Sequence, residues 1–306
     1  MRFGVHIGQQ NCTIDDLRRL WTWADRGGLY WFSVWDHFYC KTDDSAPHFE
    51  AIPLMAAAAV ETRDIRIGCL VFCAAYRNPG LLVKSMVTID HLSGGRATVG
   101  LGAGWHEPEY RAYGYHFGPP RERLDLLEEN AAAVRQLLDR ETTSLDGRYV
   151  QLANAYSNPK PVGPMPLCIG GGGEKRTLRI AARYADSWNA AYIGPEDFRH
   201  KSAVLDHWCE TEGRDPASIE RSVNLYFYMG ADEAAVPATT ARMREQLLGE
   251  ADTRRAGALT GSPREAVDRI GAYRDAGVEW LNVAIRPPID WEALQAFLEE
   301  VAPTFA

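Results

Sequence analysis

Short apolar runs alternate with amphipathic segments along nearly the whole chain, and this alternation predicts the order of its elements. The runs are rich in apolar, β-branched and aromatic residues and lack helical periodicity, so they predict strands. They lie at residues 2–7, 31–35, 65–71 and 97–104, from Leu167 onward, and at 187–191, 222–228 and 280–285. A helical segment follows each of the eight predicted strands.

Capping residues mark several of the predicted helix starts. Thr13 precedes two acidic residues, Asn78 is followed by Pro79, and Ser262 has Glu265 at the capping-box position. Helices are predicted at residues 13–26, 51–62, 78–92, 121–139, from about 174 to 185, and at 195–212, 237–248, 262–276 and 291–301.

Eight strand–helix units without a break in composition predict an α/β fold of the (β/α)8 TIM-barrel type with an insertion after strand 4. An open, doubly wound sheet is the alternative, but it requires a domain boundary or edge strand that the sequence does not offer. We therefore predict one domain over residues 1–306. The insertion, at about 105–165, is predicted to hold a mobile loop (105–120), a helix (121–139) and a two-stranded flap around Asp146 and Gly147.

Composition and net charge limit the classes of partner that the protein can bind. The net charge of −8 argues against nucleic acid or an anionic membrane surface as the main partner, since both favour a basic face. The longest apolar run, residues 51–60, is far too short to cross a membrane, and no signal segment opens the chain. The six cysteines, at 12, 40, 69, 73, 168 and 209, show no zinc-site spacing, so we expect no metal and a reducing cytoplasm.

Four consecutive glycines follow the fifth predicted strand. Gly170, Gly171, Gly172 and Gly173 allow positive φ and close approach of a ligand to backbone N–H groups, and the helix expected from about Glu174 adds its positive dipole end. Lys175 and Arg176 can supply countercharge. A tight βα turn also explains glycines here, but it does not need four. The pattern lacks the closing Lys-Ser/Thr of a nucleoside-triphosphate-binding loop, and its spacing is not that of the first turn of a dinucleotide-binding fold. It therefore indicates a bound anion without identifying which one.

In a barrel of this type, residues after the strand ends meet at one face. Asp36 and His37 follow strand 2 and form a candidate proton-transfer couple, with a turn carboxylate and a structural histidine as the alternative. His6 ends strand 1 and is equally compatible with a site or a core role. Arg77 precedes an N-cap, and we expect it to be structural.

Aromatic and charged residues complete the predicted mouth: Trp105 and Glu107 after strand 4, Tyr226 and Tyr228 on strand 7, and Arg286 after strand 8. Trp105 can equally anchor a lid, one tyrosine can simply line the barrel, and Glu107 and Glu109 can be plain solvent-facing carboxylates. Together with the glycine cradle, this set suits a flat aromatic cofactor with a phosphate tail.

With these residues assembled, the chain resembles the bacterial luciferase-like flavoenzymes, and most closely their branch dependent on coenzyme F420, a deazaflavin. The matching stretches cover roughly residues 1–190, and the last third matches mainly in pattern. They are Ser33-Val-Trp-Asp-His-Phe38, Tyr76-Arg-Asn-Pro79, Asp90-His-Leu-Ser-Gly-Gly-Arg96, Gly100-Leu-Gly-Ala-Gly-Trp105, Asn158-Pro-Lys-Pro161 and the four glycines with their helix.

The resemblance implies a position for each part of the cofactor. The deazaflavin ring would lie against a cis peptide at Leu70–Val71, beside Ala103 and Gly104 and near Asp36, and the phosphate would lie on residues 170–173 with Arg176. His37 would deliver or accept the proton, with Asp36 beside it. The resemblance also implies a homodimer. One departure is Trp105, because the branch that oxidises a sugar phosphate has a carboxylate directly after the strand-4 glycine.

These observations predict an oxidoreductase that transfers a hydride between F420 and a small organic molecule, as a reductase or dehydrogenase. The first alternative is an FMN-dependent monooxygenase of the same fold, supplied with reduced flavin by a separate reductase. The second is a non-catalytic flavin-binding protein. Because the predicted pocket is aromatic and mostly apolar, we expect an uncharged or weakly charged substrate.

Overall fold

The computed structural model describes residues 1–39 and 45–306. The strands of this part of the chain are β1 (Arg2–Ile7), β2 (Trp31–Val34), β3 (Arg66–Cys69), β4 (Phe72–Cys73), β5 (Ala97–Gly102), β6 (Thr142–Asp146), β7 (Gln151–Tyr156), β8 (Leu167–Gly170), β9 (Ser187–Ala191), β10 (Glu220–Met229), β11 (Ala258–Gly261) and β12 (Trp280–Ile285). Its α-helices are α1 (Ile14–Arg26), α2 (Ala51–Glu61), α3 (Pro79–Ser93), α4 (Glu107–Ala112), α5 (Pro120–Asp139), α6 (Thr177–Tyr184), α7 (Pro195–Thr211), α8 (Val236–Gln246), α9 (Asp252–Arg255), α10 (Pro263–Asp275) and α11 (Trp291–Ala296).

Eight parallel strands form a closed barrel in the order β1, β2, β3, β5, β8, β9, β10 and β12, and β12 pairs with β1 to close it. The closing register sets Arg2 opposite Trp280 and Ile7 opposite Ile285. The predicted TIM barrel is therefore confirmed, and the doubly wound alternative is wrong. The short strand β11 was not predicted; it pairs in parallel with the end of β10, where Tyr226 faces Ala258.

The segment after β5 contains more structure than the sequence predicts. The helix α4 occupies part of the stretch that is predicted to be only a loop. The predicted helix and flap are present as α5 and the antiparallel pair β6–β7. The Glu129 carboxylate on α5 accepts hydrogen bonds from the Arg148, Tyr149 and Val150 amides at 2.7–3.0 Å, which fixes the flap to the helix.

The predicted caps of α1, α3 and α10 are confirmed, but α6 begins at Thr177 rather than near Glu174. Two contacts explain the later start. The Leu178 amide donates to the Gly173 carbonyl, and the Glu174 carbonyl accepts from the Trp208 indole at 2.7 Å. In a regular helix the Leu178 amide would donate to the Glu174 carbonyl. Here each of the two groups has another partner, so Glu174 is not part of the helical hydrogen-bond ladder.

The barrel interior below the mouth is filled by large side chains and by a polar ladder. The Asn224 side-chain oxygen Oδ1 accepts from the side-chain NH₂ groups of Asn189 and Asn282 at 3.1 and 2.8 Å, whereas Asn282 Oδ1 has no hydrogen-bond partner among the described residues. Cys69 and Cys168 are buried thiols, as predicted, whereas Cys40 lies outside the described residues. Within residues 1–39 and 45–306, no helix has the length and apolarity needed to cross a membrane.

Candidate active site

A cavity of about 340 Å³ opens at the carboxyl ends of the barrel strands. Every barrel strand or the loop after it contributes at least one lining residue, which is the arrangement expected for a barrel enzyme. The lining includes His6, Asp36, His37, Leu70, Val71, Ala103, Gly104, Trp105, Gly170, Gly171, Tyr226 and Arg286. Most of the predicted site residues, distant in sequence, are therefore brought together.

One wall of the cavity is shaped by Val71 and the glycines beside it. The Leu70–Val71 peptide is cis, in agreement with the expectation from the family resemblance. A Cβ at Gly102 would lie 2.4 Å, and one at Gly170 2.7 Å, from a methyl group of Val71. Since real Cβ atoms do not approach so closely, only glycine fits at these two positions. The wall is thus a flat, mostly backbone surface.

His37 is held by a buried carboxylate. Its Nδ1 lies 2.9 Å from Glu109 Oε2 and 3.1 Å from Oε1, and the Glu109 side chain is fully buried. Glu109 also accepts from the Phe38 amide at 3.0 Å and from the Tyr76 hydroxyl at 3.1 Å. Burial alone raises the pKa of Glu109, but the bonds from His37 and the backbone amides outweigh it and leave that pKa lowered.

An ionised Glu109 fixes the tautomer of its partner. Because a carboxylate only accepts, His37 Nδ1 carries the hydrogen, and Nε2 is left as the nitrogen that can exchange a proton in the cavity. The sequence hypothesis for Glu109 included a plain solvent-facing carboxylate, and the structure instead places it against His37. Its partner lies 72 positions away, so no local pattern could reveal the contact.

Asp36 is committed to an ion pair. Both of its oxygens accept from Arg77 Nη1 at 2.6 Å, and Oδ2 also accepts from the Cys73 amide at 2.9 Å. Arg77 also pairs with Glu50. Burial acts to lower the pKa of Arg77, but the two carboxylates raise it. Asp36 therefore lines the cavity with both oxygens already bound, and Arg77 lies between two carboxylates, which agrees with the structural role expected for it.

His6 is buried and neutral. Its Nε2 accepts from the Trp35 indole N–H, so Nδ1 carries the hydrogen and donates to Ser33 Oγ at 2.8 Å. Burial, reinforced by the neighbouring His37, lowers the pKa of His6 to about 3. His6 thus contributes a fixed, uncharged edge to the cavity and cannot act as a general acid near neutral pH.

Gly170 and Gly171 of the glycine cradle line the same cavity as His37, whereas Gly172 and Gly173 are exposed and outside its lining. Gly171 has φ +123° and its amide donates to the Asn189 carbonyl at 3.1 Å. No described residue accepts a hydrogen bond from the amides of Gly172 or Gly173. Thr177, the first residue of α6, also lines the cavity. Two free amides and a hydroxyl beside a helix N-terminus suit one phosphoryl group.

The cations predicted for the cradle are directed elsewhere. Arg176 Nη2 binds Asp125 Oδ1 at 2.8 Å and Glu128 Oε2 at 2.9 Å on α5, and Lys175 is exposed and outside the cavity lining. Lys201, which the sequence did not single out, lies against Gly172 and donates to its carbonyl at 2.9 Å, although it also pairs with Glu174. The cradle therefore has little net positive charge.

The remaining predicted residues divide between the mouth and the surface. Trp105 is 52% exposed at the mouth and lies edge-on to His37, with ring centroids 5.7 Å apart. Tyr226 and Arg286 line the cavity, whereas the Tyr228 hydroxyl donates to Gln246 on α8. Glu107 is not part of the lining; it forms an exposed i,i+4 pair with Arg111 on α4.

The residues present fit a flat ring with a phosphate tail. The glycine-backed wall at Val71 offers a surface that side chains would otherwise fill, and the cavity volume lies within the range of small-ligand sites. Gly172 and Gly173, whose amides have no acceptor among the described residues, are exposed and follow the lining residue Gly171 in the chain. Ala103, Gly104 and Leu70 would contact the ring, and Thr177 with residues 170–173 would hold the phosphate.

Comparison with known proteins shows where the chain belongs. A family model described as luciferase-like monooxygenase matches residues 1–248. An uncharacterised protein of Mycobacterium tuberculosis (strain ATCC 25618 / H37Rv) is 32% identical over 223 residues, which are 72% of this chain and 72% of the relative. The F420-dependent glucose-6-phosphate dehydrogenase of Amycolatopsis mediterranei (strain U-32) is 26% identical over 302 residues, covering 89% of each chain. A solved F420-dependent secondary alcohol dehydrogenase, in complex with an F420-acetone adduct, shares the fold with a TM-score of 0.87 at 20% identity, over 100% of this chain and 99% of that one.

Proposed function

Since the chain belongs to the luciferase-like monooxygenase family, we propose that it is an oxidoreductase that transfers a hydride between coenzyme F420 and a small organic substrate, as a reductase or dehydrogenase. One observation supports this proposal above the others. His37, oriented by the fully buried Glu109, borders the same cavity as the glycine cradle. One ligand in this cavity could therefore contact both His37 and the glycines that we propose bind its phosphate.

The chain's own residues would orient the reactants and move a proton. When bound, the deazaflavin supplies a carbon centre that gives or takes two electrons as hydride and reacts poorly with oxygen. His37 Nε2 would give or take the accompanying proton, while Glu109 holds the ring of His37 in one orientation and tautomer. Such general acid–base help is on the order of 10²–10⁴-fold.

The charge around the cradle supports F420 over FMN. The phosphate of FMN is a monoester of nearly two negative charges, whereas that of F420 is a diester of one charge. Arg176 is neutralised by Asp125 and Glu128, and Lys201 is shared with Glu174. A cradle with so little free positive charge suits the diester.

An FMN-dependent monooxygenase supplied by a separate reductase is the second candidate, and the description of the matching family favours it. Titration of the purified protein with F420 and, separately, with FMN distinguishes the two by changes in cofactor absorbance and fluorescence. We expect F420 to bind and FMN to bind at least tenfold more weakly. Tight FMN binding without F420 binding would overturn the proposal.

The role of His37 is tested with His37→Ala, and His207→Ala on the exposed face of α7 serves as control. With F420 and a panel of secondary alcohols and hydroxy acids, or reduced F420 with ketones and keto acids, we expect turnover to fall about 10²–10⁴-fold in His37→Ala and to stay unchanged in the control. F420 affinity should change little in both variants. Equal turnover in the wild-type protein and His37→Ala would show that His37 is not the proton donor.

We also propose that the protein is a single-domain homodimer, which sedimentation analysis tests.

A further inference from the structure

Two arginines and two tyrosines form a stacked column at the side of the cavity formed by β9, β10 and β12. The rings of Tyr192 and Tyr226 are parallel within 5°, with centroids 3.8 Å apart. The Arg286 guanidinium carbon lies 4.7 Å from the Tyr226 ring centroid, and that of Arg254 lies 6.0 Å from the Tyr192 ring centroid. All four residues line the cavity. The column holds Arg286 in place through its aromatic neighbour.

Arg286 has donors but no countercharge. Its Nη1 donates to the Gln246 carbonyl at 3.2 Å and its Nη2 to the Tyr226 hydroxyl at 3.3 Å, and both acceptors are neutral. Its Nε is buried without a hydrogen-bond partner. Among the residues that the structure describes, no carboxylate lies within 4.0 Å of this guanidinium. A partly buried charge with an unpaired donor needs an anion to offset its desolvation.

Each of the other charged side chains among the described lining residues already has a partner. Asp36 pairs with Arg77, and His37 is bound to Glu109. Glu250, whose side chain is 12% exposed, lies 3.9 Å from Arg254 and balances that arginine. Among the described lining residues on this side of the cavity, two arginines and one glutamate leave one positive charge, and that charge is on Arg286. A ligand with a single negative charge would neutralise it.

The barrel topology separates this charge from the wall that suits the cofactor ring. Around the closed sheet, β12 is four strands away from β5 in either direction. Arg286, directly after β12, therefore lies across the mouth from Ala103 and Gly104, directly after β5. A substrate that lies between a cofactor ring at Ala103 and Gly104 and the opposite side of the mouth would contact Arg286 with the end farther from that ring.

We propose that the substrate is an organic acid whose carboxylate pairs with Arg286, a specificity-determining residue, while its reacting carbon faces the opposite wall. This proposal rests on the proposed function, because it assigns the substrate side of the same cavity. It narrows the expectation of an uncharged or weakly charged substrate to one with a single negative charge. A carboxylate fits better than a phosphate dianion because the local excess is one positive charge, and the planar guanidinium matches a carboxylate in two-point contact.

The test uses pairs of probes that differ in charge and little in shape: benzoate with benzamide, and hexanoate with hexanamide. Calorimetric titration measures each probe against the F420-loaded wild-type protein, Arg286→Met and Arg286→Lys. Losing a charge-assisted hydrogen bond of this kind weakens binding about 10- to 100-fold. We expect both acids to bind the wild-type protein more tightly than their amides, and Arg286→Met to abolish that preference. Arg286→Lys should restore part of it.

Arg199→Met is the control, because Arg199 is exposed on α7 and lies outside the cavity lining; we expect it to keep the preference for acids. Equal binding of acids and amides by the wild-type protein, or an unchanged preference in Arg286→Met, would overturn the proposal. So would a loss of F420 affinity in Arg286→Met that exceeds its effect on the acids, since Arg286 would then hold the cofactor. If F420 does not bind, the same titrations on the cofactor-free protein still test the carboxylate site, so this failure remains distinct from failure of the proposed function.

Discussion

Replacing Glu109 by glutamine tests the hydrogen-bond network that orients His37. The substitution keeps the volume of a fully buried side chain and removes its charge. The oxygen at the position of Oε1 can still accept from the Phe38 and Tyr39 amides at 3.0 and 3.4 Å. The new NH₂ group replaces Oε2, which now accepts from His37 Nδ1 and the Tyr76 hydroxyl. His37 Nδ1 and the Tyr76 hydroxyl would then have to accept hydrogen bonds instead of donating them.

The expected loss of stability follows from these bonds. A hydrogen bond to a charged group contributes about 1.5–3 kcal/mol, and a neutral one about 0.5–1.5 kcal/mol. Three good bonds would each lose about 1 kcal/mol, and part of that is recovered because glutamine does not bury a charge. We therefore expect Glu109→Gln to lower the free energy of unfolding by about 2 kcal/mol.

Urea unfolding at several pH values measures this difference, and Glu107→Gln is the control. Glu107 lies two residues away on the same helix in an exposed pair with Arg111, and such pairs contribute about 0–1 kcal/mol. Because the pKa of Glu109 is lowered in the folded protein, its stabilisation is present above the unfolded value of about 4.3 and is lost as the pH falls through the folded value. Equal unfolding free energies for the two variants at pH 7 would refute the network.

Three further predictions concern the cavity wall and its buried charges. Gly102→Ala should cost about 1–3 kcal/mol of stability and weaken F420 binding, because its Cβ would lie 2.4 Å from a Val71 methyl group, whereas Gly271→Ala, with no atom within 4 Å, should not destabilise the protein in the same unfolding assay. Asp36→Asn should cost about 3 kcal/mol, since its arginine partner stays buried, and a double-mutant cycle with that arginine should show strong coupling. The lowered pKa of His6 means that its protonation favours the unfolded state between about pH 6.5 and 3, so His6→Gln should flatten the fall in stability across that window by at most about 1.4 kcal/mol per pH unit, as measured by urea unfolding; an unchanged pH slope would contradict this.

The sequence was sufficient for the barrel and for most of the residues at its mouth. Strand–helix alternation depends on local periodicity, and eight parallel strands of one sheet place all their carboxyl ends at one face. His37, Arg286 and the glycines could therefore be assembled from strand order alone. Capping residues such as Ser262 also act within one turn of the chain, so the helix starts that they mark were predictable.

The tertiary structure decided how the charged side chains pair. Local sequence suggested that Arg176 holds an anion, but the packing of α6 on α5 gives it Asp125 and Glu128 instead. Glu109 could not be identified from its neighbours, because its partner His37 reaches it only when α4 folds back over the loop after β2. A side chain of this kind binds whichever opposite charge packing brings within a few ångströms, and that distance depends on elements far apart in the chain.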